Sequence, residues 1–264
     1  MRLVKERVLS IRSELPRLGV RKLHALLRQN SCAPSPGRDR LFALLREEDL
    51  LVKTKRRYTK TTNSRHWMRK YSNKTKELQL RRPEQLWVAD ITYISLKDSF
   101  MYLHLITDAY SKMIMGYHLS QDLSAESSLQ ALKMALQKRK DPHQSLIHHS
   151  DRGLQYCSSA YTTMLQKNGI DISMTEQSSP YENAVAERVN GILKDEFGLD
   201  DIFEDTTQAD KQVSQSINLY NEKRPHLSNH MLTPVQMHSQ HVLKPKSWKK
   251  KTTSTISNTC GSIT

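Results

Sequence analysis

The chain has 264 residues, with 41 Lys and Arg against 27 Asp and Glu and a formal net charge of +14. That length allows one large domain or two small ones with a real core, and 8 glycines and 9 prolines exclude a collagen-like or low-complexity chain. Three cysteines (Cys32, Cys157, Cys260), odd in number and without metal-type spacing, argue against a secreted disulfide scaffold and fit a reducing compartment. No stretch approaches about 18 consecutive apolar residues, so no membrane span is expected. Met1 to Leu15 lacks the apolar centre of a signal peptide.

The charge is uneven. Residues 1–82 carry a net +16, residues 83–243 a net −7 and residues 244–264 a net +5. Basic ends suggest a polyanionic partner, of which nucleic acid is the commonest. An acidic middle needs another explanation, and carboxylates that hold metal are one.

Val4, Val8, Ile11 and Leu15 recur at helical spacing and predict a helix over residues 2–15. Pro16 and Gly19 punctuate it. Val20, Leu23, Leu26 and Leu27 predict a second helix ending near Gln29, and Leu41, Leu44, Leu45 and Leu50 a third. The result is a small helical unit over residues 1–52 with Arg and Lys on its outer faces. Such spacing serves a helix-turn-helix DNA binder and an ordinary bundle equally. Arg17, Arg21, Lys22, Arg38 and Arg40 crowd the breaks and favour DNA contact.

Residues 53–82 hold 12 basic groups and one acid, Glu77, with Tyr58, Trp67 and Tyr71 interleaved. They show no period and read as a basic linker. Its cations, Arg56, Arg57 and Arg65 among them, suit phosphates, and its aromatics suit bases.

From Pro83 the texture changes. Leu86 to Ile94 is rich in β formers, and Phe100–Thr107 and Met113–Leu119 follow as two more strands, an antiparallel meander. Helices are expected over Ser124–Lys138, Ala160–Asn168, Asn183–Phe197 and Thr207–Asn221, with short strands over Ser145–His148 and Asp171–Met174. The order βββαβαβαα is a mixed-sheet α/β layout over residues 83–243. Residues 244–264 form a basic tail rich in Ser and Thr.

Three carboxylates stand out by position. Asp90 sits inside the apolar strand Val88-Ala89-Asp90-Ile91, where a carboxylate is costly unless paired or metal-bound. Asp151 follows a strand, in His148-His149-Ser150-Asp151-Arg152-Gly153, and strand ends of α/β sheets are where ligands bind. Glu187 lies on a helix, in Asn183-Ala184-Val185-Ala186-Glu187-Arg188. Singly, each has an ordinary reading: a local cap or pair, a turn residue, a helix-surface charge. Together they are three hard oxygen donors of the kind that suits Mg2+. Two such ions about 3.5–4 Å apart activate a nucleophile and stabilise the leaving oxygen of a phosphodiester. His148 and His149 are either neighbours of such a site or buried structural residues. No clustered His/Cys pattern suggests zinc, and glycines are too sparse for a nucleotide-binding loop.

Trp87-Val88-Ala89-Asp90-Ile91-Thr92-Tyr93, His148 to Tyr156 and Asn183 to Lys194 together resemble the bacterial insertion-sequence transposases with a retroviral-type integrase core, products of such elements' second reading frame. The 35 residues between Asp151 and Glu187 match that family's interval, and Tyr220 to His226 and Leu232-Thr233-Pro234 resemble its C-terminal signature. Glu182, with 30 intervening residues, is the weaker alternative to Glu187.

The resemblance implies a ribonuclease-H-like integrase core, a mixed five-stranded sheet with flanking helices, behind the helix-turn-helix-like unit. It implies Asp90, Asp151 and Glu187 as the catalytic and metal-binding triad for two Mg2+ or Mn2+ ions. The activity implied is metal-dependent DNA strand cleavage and strand transfer. A nuclease of the same fold and a non-catalytic DNA-binding regulator from a decayed element are the alternatives. Lys194, two helical turns after Glu187 on the same face, is expected to touch the DNA end, with Asn190 between them. The implied partners are terminal-repeat and target DNA, further copies of the chain, and an upstream-frame protein supplying a helix-turn-helix and coiled coil, because the chain starts at Met1-Arg2-Leu3-Val4 without sustained heptads. A cytoplasmic, nucleoid-associated bacterial protein is expected.

Overall fold

In the computed structural model, the structure describes residues 2–29, 36–52, 68–176 and 183–246. Arg56, Arg57 and Arg65 of the basic arm, Glu182, and the tail from residue 247 lie outside the described residues.

Three helices come first: α1 (Arg2–Glu14), α2 (Val20–Gln29) and α3 (Arg38–Glu47). Their apolar stripes meet through buried Val8, Leu15, Leu23, Leu27, Leu41 and Leu45. The third helix begins at Arg38, three residues before its first leucine, because its opening turn is polar and gives no periodic signal.

The meander follows as β1 (Leu86–Ser95), β2 (Phe100–Asp108) and β3 (Ile114–Ser120). Next come α4 (Ala125–Lys138), β4 (Leu146–Ser150), α5 (Leu154–Cys157), α6 (Ser159–Lys167), β5 (Ile170–Met174), α7 (Ala184–Phe197), α8 (Thr206–Glu222) and α9 (Pro234–His238). The sheet order is β3-β2-β1-β4-β5. β1, β2 and β3 pair antiparallel, and β4 and β5 run parallel to β1. This is the expected mixed five-stranded sheet.

Alternation along β1 divides its side chains between two layers. Trp87 and Ala89 enter the core formed with α4 to α6, which includes Leu129, Leu132, Tyr161 and Leu165. Leu86 and Val88 turn to the other face, against Ala186 of α7. Ile94 lies on that second face too, with Val189, Ile192 and Leu193 of α7 and Ile217 of α8. α4 lies so close to β3 that a Cβ on Gly116 would run into the Ala131 carbonyl oxygen and sit 2.8 Å from the Ala135 amide nitrogen.

The N-terminal helices share the second-face core with α7 and α8. Lys22 Nζ of α2 donates to Glu196 Oε1 of α7 at 2.7 Å, and Arg224 grips the same carboxylate through Nε (2.8 Å) and Nη2 (2.7 Å). Lys22 is only 8% exposed. It therefore departs from the outer-face position that helical spacing suggested, because α7 covers the side of α2 that carries it.

Residues 68–82 contain no helix or strand, yet they are fastened to the sheet rather than running free. The Asn73 amide donates to Glu176 Oε1 at 3.0 Å and the Lys74 amide to Ser173 Oγ at 2.9 Å. Met68 and Tyr71 pack against the α4–α6 core, and Leu78 and Leu80 against Leu86 and Val88. The C-terminal segment is fastened as well. Asn221 bonds both backbone groups of Ile114, and Asn229 Nδ2 donates to the Ser111 carbonyl at 2.6 Å.

Candidate functional site

Alternation puts Asp90 on the α7 face of β1, in line with Leu86 and Val88. The β1–β4 register pairs Trp87 with His148 and Val88 with His149. Continued two residues, it brings Asp151, just past the end of β4, level with Asp90. Side chains paired in register point to the same face, so both aspartates serve one cleft. β1 runs on past this point while β4 stops, so Asp90 sits mid-strand at a place where its neighbour strand has ended.

α7 crosses above. Asn190 Nδ2 donates to Asp90 Oδ2 at 2.6 Å, and Asn183 Nδ2 to the Ala89 carbonyl at 3.0 Å. Asp151 is held by its own turn, with Oδ1 accepting from the Gly153 amide at 2.9 Å. A Cβ on Gly153 would stand 3.0 Å from that same oxygen and 3.0 Å from Gln155 Oε1, so glycine keeps the approach open.

The electrostatics register the crowding. Burial first, and then the Asp151 charge, push the Asp90 carboxyl up from 3.8 to about 7, with Glu187 adding to the rise and Asn190 opposing it. Partial burial raises Glu187. The buried Tyr156 phenol of the α4–α6 core is pushed well up, first by burial, then by Tyr161, Asp151 and Asp90. The side-chain oxygens Oδ1 of Asn183 and Asn190 are buried without a hydrogen-bond partner.

Glu187 is exposed on the first turn of α7. It reaches Asp90 electrostatically, but among the described residues no three carboxylate, His or Cys side chains converge closely enough to hold one ion. The donor chemistry nonetheless fits a hard divalent cation. All donors are carboxylate oxygens, the type Mg2+ and Mn2+ take, and the Asp90–Asp151 repulsion is the kind a bound cation removes.

Of the other expected residues, Lys194 is half-buried on α7 in line with Glu187 and Asn190, and Arg21 is exposed on α2. Lys22 is committed to Glu196. His148 is structural: Nε2 meets Tyr161 Oη at 2.9 Å, and burial holds its pKa down to about 3. His149 Nδ1 meets Ser173 Oγ at 2.8 Å. Tyr156 and Asn183 were not singled out from the sequence. Both lie within the quoted motifs, but nothing in their spacing signals that the Asp90 and Asp151 charges reach Tyr156 or that Asn183 bonds the strand of Asp90.

The five-stranded mixed sheet of order β3-β2-β1-β4-β5 with flanking helices is an integrase-core fold. Two models described as integrase core domain match residues 81–180 and 168–234. The chain is 35% identical over 210 residues to the "Insertion element IS600 uncharacterized 31 kDa protein" of Shigella sonnei, covering 79% of this chain and 76% of that protein. It is 32% identical to the transposase for insertion sequence element IS629 of Shigella sonnei, covering 62% of this chain and 55% of that one. It is 37% identical over 119 residues to a putative transposase for IS986/IS6110 of Mycobacterium tuberculosis, covering 44% of this chain and 43% of that one. The chain thus spans about half the length of those two transposases. Among solved structures, a chain of the simian T-cell lymphotropic virus intasome in complex with PP2A regulatory subunit B56 gamma aligns with a TM-score of 0.54 at 21% identity, covering 73% of this chain and 66% of that chain, a likeness of fold. The chain belongs to the integrase-core family of insertion-sequence transposases.

Proposed function

We propose that the chain cuts and joins DNA strands for an insertion sequence, with Asp90, Asp151 and Glu187 as its catalytic carboxylates. One observation carries the reading: two aspartates 61 residues apart in sequence lie level on one sheet face, where burial and then the Asp151 charge raise Asp90 to a pKa of about 7. Like charges set side by side in a half-buried cleft are costly in a merely structural role. It is the arrangement that a divalent cation relieves.

Mg2+ or Mn2+, two ions in the full site, would supply charge to activate a hydroxyl and to stabilise the departing oxygen. Asp90 and Asp151 would hold the metal, with Glu187 of α7 as the third carboxylate. Asn190 fixes which Asp90 oxygen faces the cleft. Lys194, on the same stripe of α7 as Glu187, contacts a phosphate beside the one attacked.

In the first step water adds to a phosphodiester phosphorus at the element end, and the bond to the 3′ oxygen breaks, leaving a 3′-OH. In the second, that 3′-OH displaces an oxygen at a phosphorus of the target strand, so one phosphodiester replaces another without an external energy source. The protein's part is positioning and charge neutralisation. Element-end DNA, target DNA, further copies of the chain and an upstream-frame protein are the proposed partners. Arg21 and the arm residues Arg56, Arg57 and Arg65 are proposed DNA contacts. Lys22 would act there only indirectly, through α2.

The test is strand transfer with a labelled element end and Mg2+, with and without the upstream-frame protein. Glu187→Gln is expected to abolish cleavage and joining while DNA binding persists. Joining at the wild-type rate by that variant would remove Glu187 from the site.

A further inference from the structure

Backbone groups of successive strand residues address opposite edges. At the start of β1 the Leu86 carbonyl accepts from the Ala109 amide just past β2, and the Gln85 carbonyl accepts from the Ile147 amide of β4. The Ala89 carbonyl, four residues on from Gln85, therefore also faces the β4 side. The ladder to β4 ends with Val88 opposite His149. Ala89 is fully buried, so its carbonyl needs a partner from elsewhere. Asn183 supplies it, with Nδ2 donating at 3.0 Å.

Asparagine is favoured just before a helix because its side chain accepts from the backbone amides of the opening turn. Asn183 holds that position before α7 and makes no such bond. Its Oδ1 is buried without a partner, so the reach to Ala89 is the one hydrogen bond its side chain makes among the described residues. Seven residues further, on the same line of the helix, Asn190 bonds Asp90. Two asparagines about 10 Å apart along the axis thus fasten α7 to consecutive residues of β1. Glu187 lies between them on that line, in the first turn of α7. The second contact opposes rotation of the helix about the first, and Glu187 is on the arm that it holds.

We propose that Asn183 is a positioning residue of the strand-cutting site: by bridging from the start of α7 to the β1 carbonyl that β4 leaves open, it holds Glu187 in place beside Asp90. This rests on the reading of Asp90, Asp151 and Glu187 as the metal-binding carboxylates. Asn183 touches neither metal nor DNA in this role. It acts through Glu187, so its removal weakens the hold of the site on a divalent ion while α7 itself stays helical.

The experiment measures Mn2+ binding to the metal-stripped full chain by electron paramagnetic resonance of the free ion, with thermal melts alongside. Asn183→Ala is expected to weaken Mn2+ binding about tenfold, the lower end for residues that orient a metal ligand. Asn183→Ser should do the same, although serine can cap α7 and keep its first turn, because its Oγ stops short of Ala89. In a Glu187→Gln background neither substitution should cost anything further. Asn229→Ala removes the same kind of buried amide-to-carbonyl bond at the β2–β3 turn, and it should lower the melting temperature while leaving Mn2+ affinity unchanged. Wild-type affinity in Asn183→Ser overturns the proposal. So does an equal loss in Asn229→Ala, or a loss in Asn183→Ser that adds to that of Glu187→Gln. Failure of the carboxylate reading shows separately: a wild-type chain that does not bind Mn2+, or a Glu187→Gln chain that binds it as the wild type does, removes that reading and this proposal with it. A loss in Glu187→Gln with none in Asn183→Ser removes this proposal alone.

Discussion

Asn190 donates its amide Nδ2 to Asp90 Oδ2 at 2.6 Å, joining the middle of β1 to the middle of α7 across one hundred residues of sequence. The bond favours the ionised carboxylate, and it is one of the few influences holding the Asp90 pKa down against burial and Asp151. Asn190→Ala is therefore expected to raise the Asp90 pKa further and to weaken divalent-ion binding near neutral pH. Asn190→Asp adds a like charge and should raise it more than Ala does. Carbon-13 carboxyl titration of Asp90 by NMR reads this directly. An unchanged Asp90 titration in both variants would mean that the contact has no electrostatic role.

The Asp90 carboxyl is raised from 3.8 to about 7, which fixes the sign of a stability effect. Between these values the folded chain holds a proton that the unfolded chain has lost. The stability that comes from a neutral Asp90 is intact below about pH 4 and is lost as pH rises through about 7. Asp90→Asn keeps a neutral side chain at every pH, so it should raise the melting temperature at pH 8 and change it little at pH 4. Metal binding runs the other way. Ions compete with the proton, so wild-type affinity for Mn2+ should climb as pH rises through about 7. Thermal melts at the two pH values and Mn2+ titration across them check both halves. A melting temperature equally raised at pH 4 and pH 8 would refute the linkage.

The elements that carry the candidate residues were readable because they sit where sequence periods are strong. Asp90 interrupts a run of β formers and Asp151 follows one, so the strand pattern set both at the sheet, and the motif resemblance grouped them with Glu187. Glu187 lies on a helix with a clear apolar face. What escaped was set by distant partners. Lys22 looks like any helix-surface lysine until α7 brings Glu196 over it. Residues 68–82 have no period, and their path is fixed by Ser173 and Glu176, about a hundred residues further on. α5 and α9 are too short to show helical spacing. Even so, Thr233-Pro234 followed by Gln236 is a capping box with proline at the helix start, and that local signal marks α9.

The ion network of Lys22, Glu196 and Arg224 ties the N-terminal helices to the integrase core, and its asymmetry yields a graded prediction. Arg224 is 1% exposed and makes a two-pronged contact with Glu196. Burial alone would raise the Glu196 carboxyl, but Arg224 and Lys22 hold it below its ordinary value. Its contribution to stability is therefore present above the unfolded-state pKa and is lost as pH falls through the lower, folded-state one. Glu196→Gln leaves the buried guanidinium without its counter-charge and should cost about 3 kcal/mol, the scale for breaking a buried pair from one side. Lys22→Met removes the lysine, whose pKa burial and Arg224 already lower to about 8, and keeps its apolar stem, so it should cost much less. Urea unfolding at pH 7 measures both. The Glu196→Gln deficit should shrink toward acid pH, where the wild-type carboxylate also takes up a proton. Equal losses in the two variants, or a Glu196→Gln deficit that persists unchanged in acid, would show that the junction between α2 and α7 is held by packing and not by these charges.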